Sequence, residues 1–175
     1  IKLCRKWSYE KKNLTPEKAT IIVAKGNFHG RTTSIISFSN DPVARKNFGP
    51  YTPGFVSVPY DDLEALEEEL KEKDVAGFLV EPIQGEAGVV VPSEGYLKKA
   101  AELCDKHDVL FIADEIQTGI ARTGEMLCVD HENVRPDIVI LGKALSGGAY
   151  PVSAILADNE IMESMRPGVH GSTYG

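Results

Sequence analysis

Six short runs rich in β-branched and aromatic residues, several of them apolar at every position, constrain this chain more than any other feature. They are Thr20–Ala24, Phe55–Val58, Val75–Val80, Val109–Ala113, Asp137–Leu141 and Val152–Ala157. A strand wet on one face alternates apolar and polar residues, so a strand that is apolar throughout needs cover on both faces. A mostly parallel sheet between helical layers provides that cover. Two segments between the runs carry apolar residues at helical spacing: Leu63, Leu66 and Leu70 within 62–70, and Leu97, Ala100, Ala101 and Cys104 within 96–107. The class expected is therefore α/β with a largely parallel sheet. The acidic and basic run Glu67–Asp74 reads as the wet face and end of the first helix, and Pro42, Gly49, Pro50, Pro53 and Gly54 mark one long loop.

With 175 residues, 42% hydrophobic and 26% charged, the chain can bury a core and reads as one soluble domain. A net charge of -7 opposes the positive surface that nucleic acid requires, so no nucleic-acid partner is expected. No apolar run approaches the roughly 20 residues that span a bilayer, and no signal peptide is evident. Cys4, Cys104 and Cys128 have no C-x-x-C spacing, which argues against a disulfide framework and for a reducing compartment. His29, His107, His131 and His170 show no ligand spacing and read as ordinary surface or packing histidines; no metal is expected. An opening at Ile1 without methionine and a loop-like end at His170–Gly175 read as a piece of a longer protein.

In open α/β sheets ligands gather at the carboxyl ends of the strands. Three polar residues follow such ends here: Glu81, Asp114 and Lys143. A lysine at the rim of an apolar site is readily desolvated into a neutral nucleophile toward carbonyls, and Schiff-base chemistry is its natural use. A solvated lysine is the plain alternative. Asp114 could equally cap a helix or pair with a structural arginine. Leu110–Glu115 also has the form of a Walker B strand, which would make the chain an ATPase fragment. The matching G-x-x-x-x-G-K-[ST] is absent, because Ala144 follows Gly142-Lys143 and Asp137 stands where the first glycine belongs.

The segment Ile112–Gly124 (IADEIQTGIARTG) followed by Leu141–Gly148 (LGKALSGG) resembles the class III pyridoxal-phosphate (PLP) aminotransferases. Gly26–Thr32, Val80–Gly88 and His170–Gly175 are further matches, in family order along essentially the whole chain. Within the family, Glu86-Ala-Gly88, Ala121–Gly124 and Ser146–Ser153 look most like the ornithine aminotransferases. Acetylornithine and 4-aminobutyrate aminotransferases are the near alternatives. The resemblance implies the three-layer, mostly parallel fold type I of PLP-dependent transferases. Residues 1–175 would form part of its large PLP-binding domain, with the small domain and the N-terminal segment outside them.

The resemblance also implies roles. Lys143 would hold the cofactor and then move the substrate proton as general acid and base. Asp114 would pair with the protonated pyridine nitrogen, and Gln117 would reach the ring hydroxyl oxygen. Phe28 and Ile116 would sandwich the ring, the aromatic contact contributing about 0.5–1.5 kcal/mol beyond burial. Ser172 and Thr173 would serve the phosphate, Thr173 from the neighbouring subunit, which implies a homodimer with shared active sites. Arg31 would bind the α-carboxylate of ornithine, and Glu86 would mask a distal arginine not present here until 2-oxoglutarate arrives. Glu81 would stand behind, supporting Gln117 and the ring. His29 stands where some ornithine enzymes have tryptophan. The implied reaction is transfer of the δ-amino group of ornithine to 2-oxoglutarate, in the cytoplasm or mitochondrial matrix; the 175 residues by themselves would be inert.

Overall fold

Successive side chains of a strand point to opposite faces, and the apolar runs of this chain divide their residues accordingly. The structure, a computed structural model, describes residues 1–171. Among them β1 (Thr20–Ala24), β2 (Phe55–Val58), β3 (Val75–Val80), β4 (Leu110–Asp114), β5 (Ile138–Leu141) and β6 (Ala154–Ala157) form one sheet in the order β2-β1-β3-β4-β5-β6. The first five strands run parallel and β6 runs antiparallel against β5. The helices are α1 (Lys2–Lys11), α2 (Thr33–Ile36), α3 (Pro42–Arg45), α4 (Leu63–Leu70), α5 (Tyr96–Lys106) and α6 (Asn159–Met162). On one face Ile22, Phe78, Val80 and Phe111 pack with Leu66 and Leu70 of α4 and with Leu97, Ala100 and Cys104 of α5. On the other, Ile21, Val23, Leu79 and Ile112 pack with Leu3, Cys4 and Trp7 of α1 and with Ile161 of α6. Helix, sheet and helix make the three layers that continuous apolar strands require.

Each large side chain buried this way contributes roughly 1.5–3 kcal/mol. That burial explains α1, whose sequence carries no helix cap. What holds it is Gly77 in the middle of β3: a Cβ there would stand 2.7 Å from Cys4 Sγ and 3.2 Å from the Leu110 carbonyl, so the bare backbone lets the helix sit close. The long proline-marked loop is likewise interrupted. Asp41 accepts a hydrogen bond from the Val43 N–H at 2.8 Å and starts the single turn of α3, with Pro42 supplying a preset φ. The strand boundaries shift slightly: β4 starts at Leu110, because the Val109 N–H is held by the Cys104 carbonyl at 2.9 Å, and runs one residue further, to Asp114.

Asp137, just before β5, accepts from the Phe111 N–H at 2.7 Å. Burial pushes its carboxyl above the ordinary range, and the charges of Asp105 and Asp158 push the same way. A folded-state pKa above the unfolded one means stability that is complete at low pH and is lost as pH rises through the raised value. Asp137→Asn keeps an acceptor for Phe111 and removes the titration. Above about pH 4, the ordinary carboxylate value, the thermal midpoint of the variant is expected to fall less steeply with pH than that of the wild type. Parallel curves would show that Asp137 carries no such linkage. Glu81, also shifted upward, accounts for part of the slope that remains.

Candidate active site

Parallel strands end at one edge, so the residues that follow them meet there. The ladder sets Val80 beside Ala113, which puts Glu81 next to Asp114 on the adjoining strand. Lys143 follows Gly142 at the end of β5, and the chain leaving β1 turns at Gly26 into Phe28 and His29. Asp114, Glu81 and Lys143 line a cavity of about 90 Å³ together with Phe28, His29, Ile116 and Gln117. The structure thus brings together at one place six of the residues singled out from the sequence.

Asp114 is only 5% exposed. Its Oδ1 accepts from the Ile116 N–H at 3.1 Å, and its Oδ2 lies 2.7 Å from Nδ1 of His29, whose side chain is 2% exposed. Neither a helix cap nor a structural arginine accounts for this carboxylate. The reading of His29 as an ordinary surface or packing histidine is corrected here: β1 and β4 flank β3, so the loop leaving β1 reaches across the end of β3 to Asp114. A second correction concerns Glu81. Its carboxylate does not support Gln117 but accepts from the Phe28 N–H at 2.7 Å and the Gly85 N–H at 3.4 Å. Burial raises its pKa, while the Phe28 and Gly85 hydrogen bonds and His29 oppose that rise and the charge of Asp114 adds to it.

Two glycines shape the walls. A Cβ on Gly85 would lie 2.8 Å from Gln117 Oε1, and one on Gly142 would lie 3.3 Å from Ile116 Cγ1. Gln117 and Ile116 therefore occupy space that any larger residue would take. Lys143 has φ +41, the left-handed region that costs a non-glycine residue strain and that recurs where function over-determines the backbone. The lysine is exposed, so the described residues do not supply the desolvation expected from the sequence.

An adjoining cavity of about 370 Å³ shares Phe28, His29 and Gly30 and adds Arg31 and Glu86, both exposed. Arg31 Cζ stands 5.7 Å from the centroid of the Phe28 ring, a cation–π contact. Ser172 and Thr173 lie outside the described residues. Glu115 is turned to another use: 1% exposed, it accepts from the Thr118 hydroxyl and, at 3.0 Å, from the Val129 N–H. It is thus buried against protein donors, and the second acid of a Walker B pair does not line the cavity that Asp114 lines.

The arrangement offers an amine nucleophile, a buried carboxylate and an amide side chain around one cavity that a phenyl ring and an isoleucine also line. The adjoining cavity, at about 370 Å³, is within the roughly 300–1,000 Å³ that small-molecule sites occupy, and the 90 Å³ cavity at the strand ends opens beside it through the shared Phe28, His29 and Gly30. Of the His29 contact and the two glycine approaches, only the glycines, which lie within the Val80–Gly88 and Leu141–Gly148 motifs, leave a trace in the sequence.

The profile of the family described as aminotransferase class-III matches residues 1–175. The mitochondrial ornithine aminotransferase of Rattus norvegicus is 63% identical over 174 residues, covering 99% of this chain and 40% of that protein. A structure of the ornithine aminotransferase of Toxoplasma gondii, with PLP at partial occupancy in its active site, is similar at a TM-score of 0.97 and 52% identity over 99% of this chain and 41% of that one. The acetylornithine aminotransferase of Elizabethkingia anophelis is similar at a TM-score of 0.83 and 64% identity, over 99% and 42% of the two chains. The chain spans about two-fifths of the length of the relatives it matches.

Proposed function

The chain belongs to the class III aminotransferase family, and from that premise we propose that the protein it is part of transfers the δ-amino group of ornithine to 2-oxoglutarate, with PLP as cofactor. The observation that carries the reading is the meeting of Lys143, Asp114, Gln117, Phe28 and Ile116 around one cavity at the carboxyl edge. PLP, when bound, supplies an electron sink beside the amine-bearing carbon. Lys143 is the residue that would hold it, and its Nζ is placed to move a proton at the amine-bearing carbon as general base and acid. Asp114 would keep the proton on the ring nitrogen, Gln117 would donate to the ring oxygen, and Phe28 and Ile116 would pack against the ring. Glu81 holds the loop that carries Phe28. Arg31 binds the α-carboxylate in the adjoining cavity, and Glu86 there pairs with an arginine from outside these residues.

Residues 1–175 form part of the large domain. Ser172 and Thr173 serve the phosphate, Thr173 in the site of a second copy, so that the working unit is a homodimer with shared sites in the cytoplasm or mitochondrial matrix. No helix among the described residues is long and apolar enough to cross a membrane.

High identity to an acetylornithine aminotransferase favours a second reading, in which the donor is N-acetylornithine. Steady-state kinetics of the full-length protein with 2-oxoglutarate and each of ornithine, N-acetylornithine and 4-aminobutyrate separate the two. Ornithine is expected to lead in kcat/KM by at least about 10²-fold, since a site built to pair a polar substrate group rejects a donor that leaves it unpaired by up to about 10⁴–10⁵-fold. A lead for N-acetylornithine would overturn the ornithine assignment and leave the aminotransferase.

A further inference from the structure

We propose that His29 is a positioning residue: by holding Oδ2 of Asp114 through Nδ1 it fixes the carboxylate that faces the cofactor's ring nitrogen, and so sets how firmly that nitrogen keeps its proton. This rests on the reading of Asp114 given above. Asp114 is gripped from two directions. Its own turn supplies the Ile116 N–H to Oδ1, while His29, 85 residues away in sequence, supplies the contact at 2.7 Å to Oδ2. With either grip alone the carboxylate could rotate about its side chain; with both it has one orientation. The contact is almost dry, at 2% and 5% exposure, where a hydrogen bond to a carboxylate is stronger than in water.

Packing alone does not account for a histidine here. Nε2 is buried with no hydrogen-bond partner among the described residues, a cost that a phenylalanine against Phe38, whose ring centroid lies 6.0 Å away, would avoid. The polarity of the ring is used at Nδ1. The other charged groups around the pair are Glu81 from the end of β3, Lys143 from the end of β5, and Arg31 over the Phe28 ring. Glu81 is itself bonded to the Phe28 N–H, next to His29, so the loop after β1 is tied to both buried carboxylates.

The test uses two variants of the full-length holoenzyme. In His29→Asn the amide nitrogen can take the place of Nδ1; in His29→Gln it takes the place of Nε2 and leaves Asp114 without its second donor. The readout is the pH midpoint of the visible absorption of the bound cofactor, together with kcat. His29→Gln should displace the midpoint by about one unit, equivalent to a tenfold change in proton population, and lower kcat by about tenfold. His29→Asn should stay near the wild type in both. If the glutamine variant does not fold, His29→Leu is compared with the asparagine variant in the same way. A donor-less variant that folds and titrates like the wild type overturns the role of His29, as does an asparagine variant displaced as far as the donor-less one. Borohydride reduction of the wild type checks the reading beneath: if no cofactor is trapped on Lys143, the cofactor assignment falls, and the role of His29 with it.

Discussion

Lys143→Ala, made in the full-length protein, is expected to lose at least about 10³-fold in kcat and all covalently trapped cofactor. General acid–base transfer by a positioned side chain contributes about 10²–10⁴-fold by itself, and here the same Nζ also forms the covalent link, so two functions go at once. Alanine is the right replacement because of the backbone. At φ +41 alanine and lysine carry similar strain, whereas glycine would relax the turn and mix a conformational change into the result. Lys143→Arg is the companion variant, since guanidinium keeps the charge but stays protonated and cannot act as the nucleophile. The measurement is the mass of the peptide containing residue 143 after borohydride reduction, beside kcat. An alanine variant that still traps cofactor elsewhere and turns over at the wild-type rate would show that the lysine is a bystander.

Asp114→Asn comes second in size. The substitution preserves shape and an acceptor for the Ile116 N–H, but it removes the negative charge from a site where Asp114 is 5% exposed. An opposite charge within hydrogen-bond reach is worth about one to three pKa units to its partner, so the population of protonated ring nitrogen, and kcat with it, should fall by about 10–10³-fold. The loss should be larger at high pH, where the unsupported ring nitrogen is least protonated. Asp114→Glu, which restores charge with a longer side chain, should recover part of it. If the asparagine variant keeps wild-type kcat across the pH range, Asp114 serves the fold through His29 and Ile116 and not the reaction.

The sheet and the strand-end residues were legible because one physical rule covers both. Strands that are apolar at every position must be buried on two faces, and polar residues directly after them must then stand at the sheet's edge; Val80-Glu81 and Ala113-Asp114 follow that rule. What was not legible depends on contacts between distant segments. The apolar positions of α1 lie in a basic segment with no cap, and only the missing side chain of Gly77 makes room for them. Nothing within Gly26–Arg31 reveals that His29 meets a carboxylate 85 positions later, since that contact exists only because β1 and β4 lie on either side of β3. The partners of Glu81 are hidden for a related reason: the loop after β1 offers it the Phe28 N–H and the turn after β3 the Gly85 N–H, and only the folded sheet edge brings the two together.

The parallel register described above also acts as a ruler. Neighbouring strands are held about 4.8 Å apart by their backbone hydrogen bonds, so Glu81, Asp114 and the stem of Lys143 are spaced by peptide geometry, as teeth are spaced on a comb. Side-chain changes in either helical layer can alter stability without altering that spacing. A slip of one residue in β5, by contrast, would carry the lysine about 3.3 Å along the strand and turn it to the opposite face. The spacing of the backbone positions from which carboxylate and amine grow can thus change only in discrete steps, and finer variation in such a site falls to the loops and side chains at the tips.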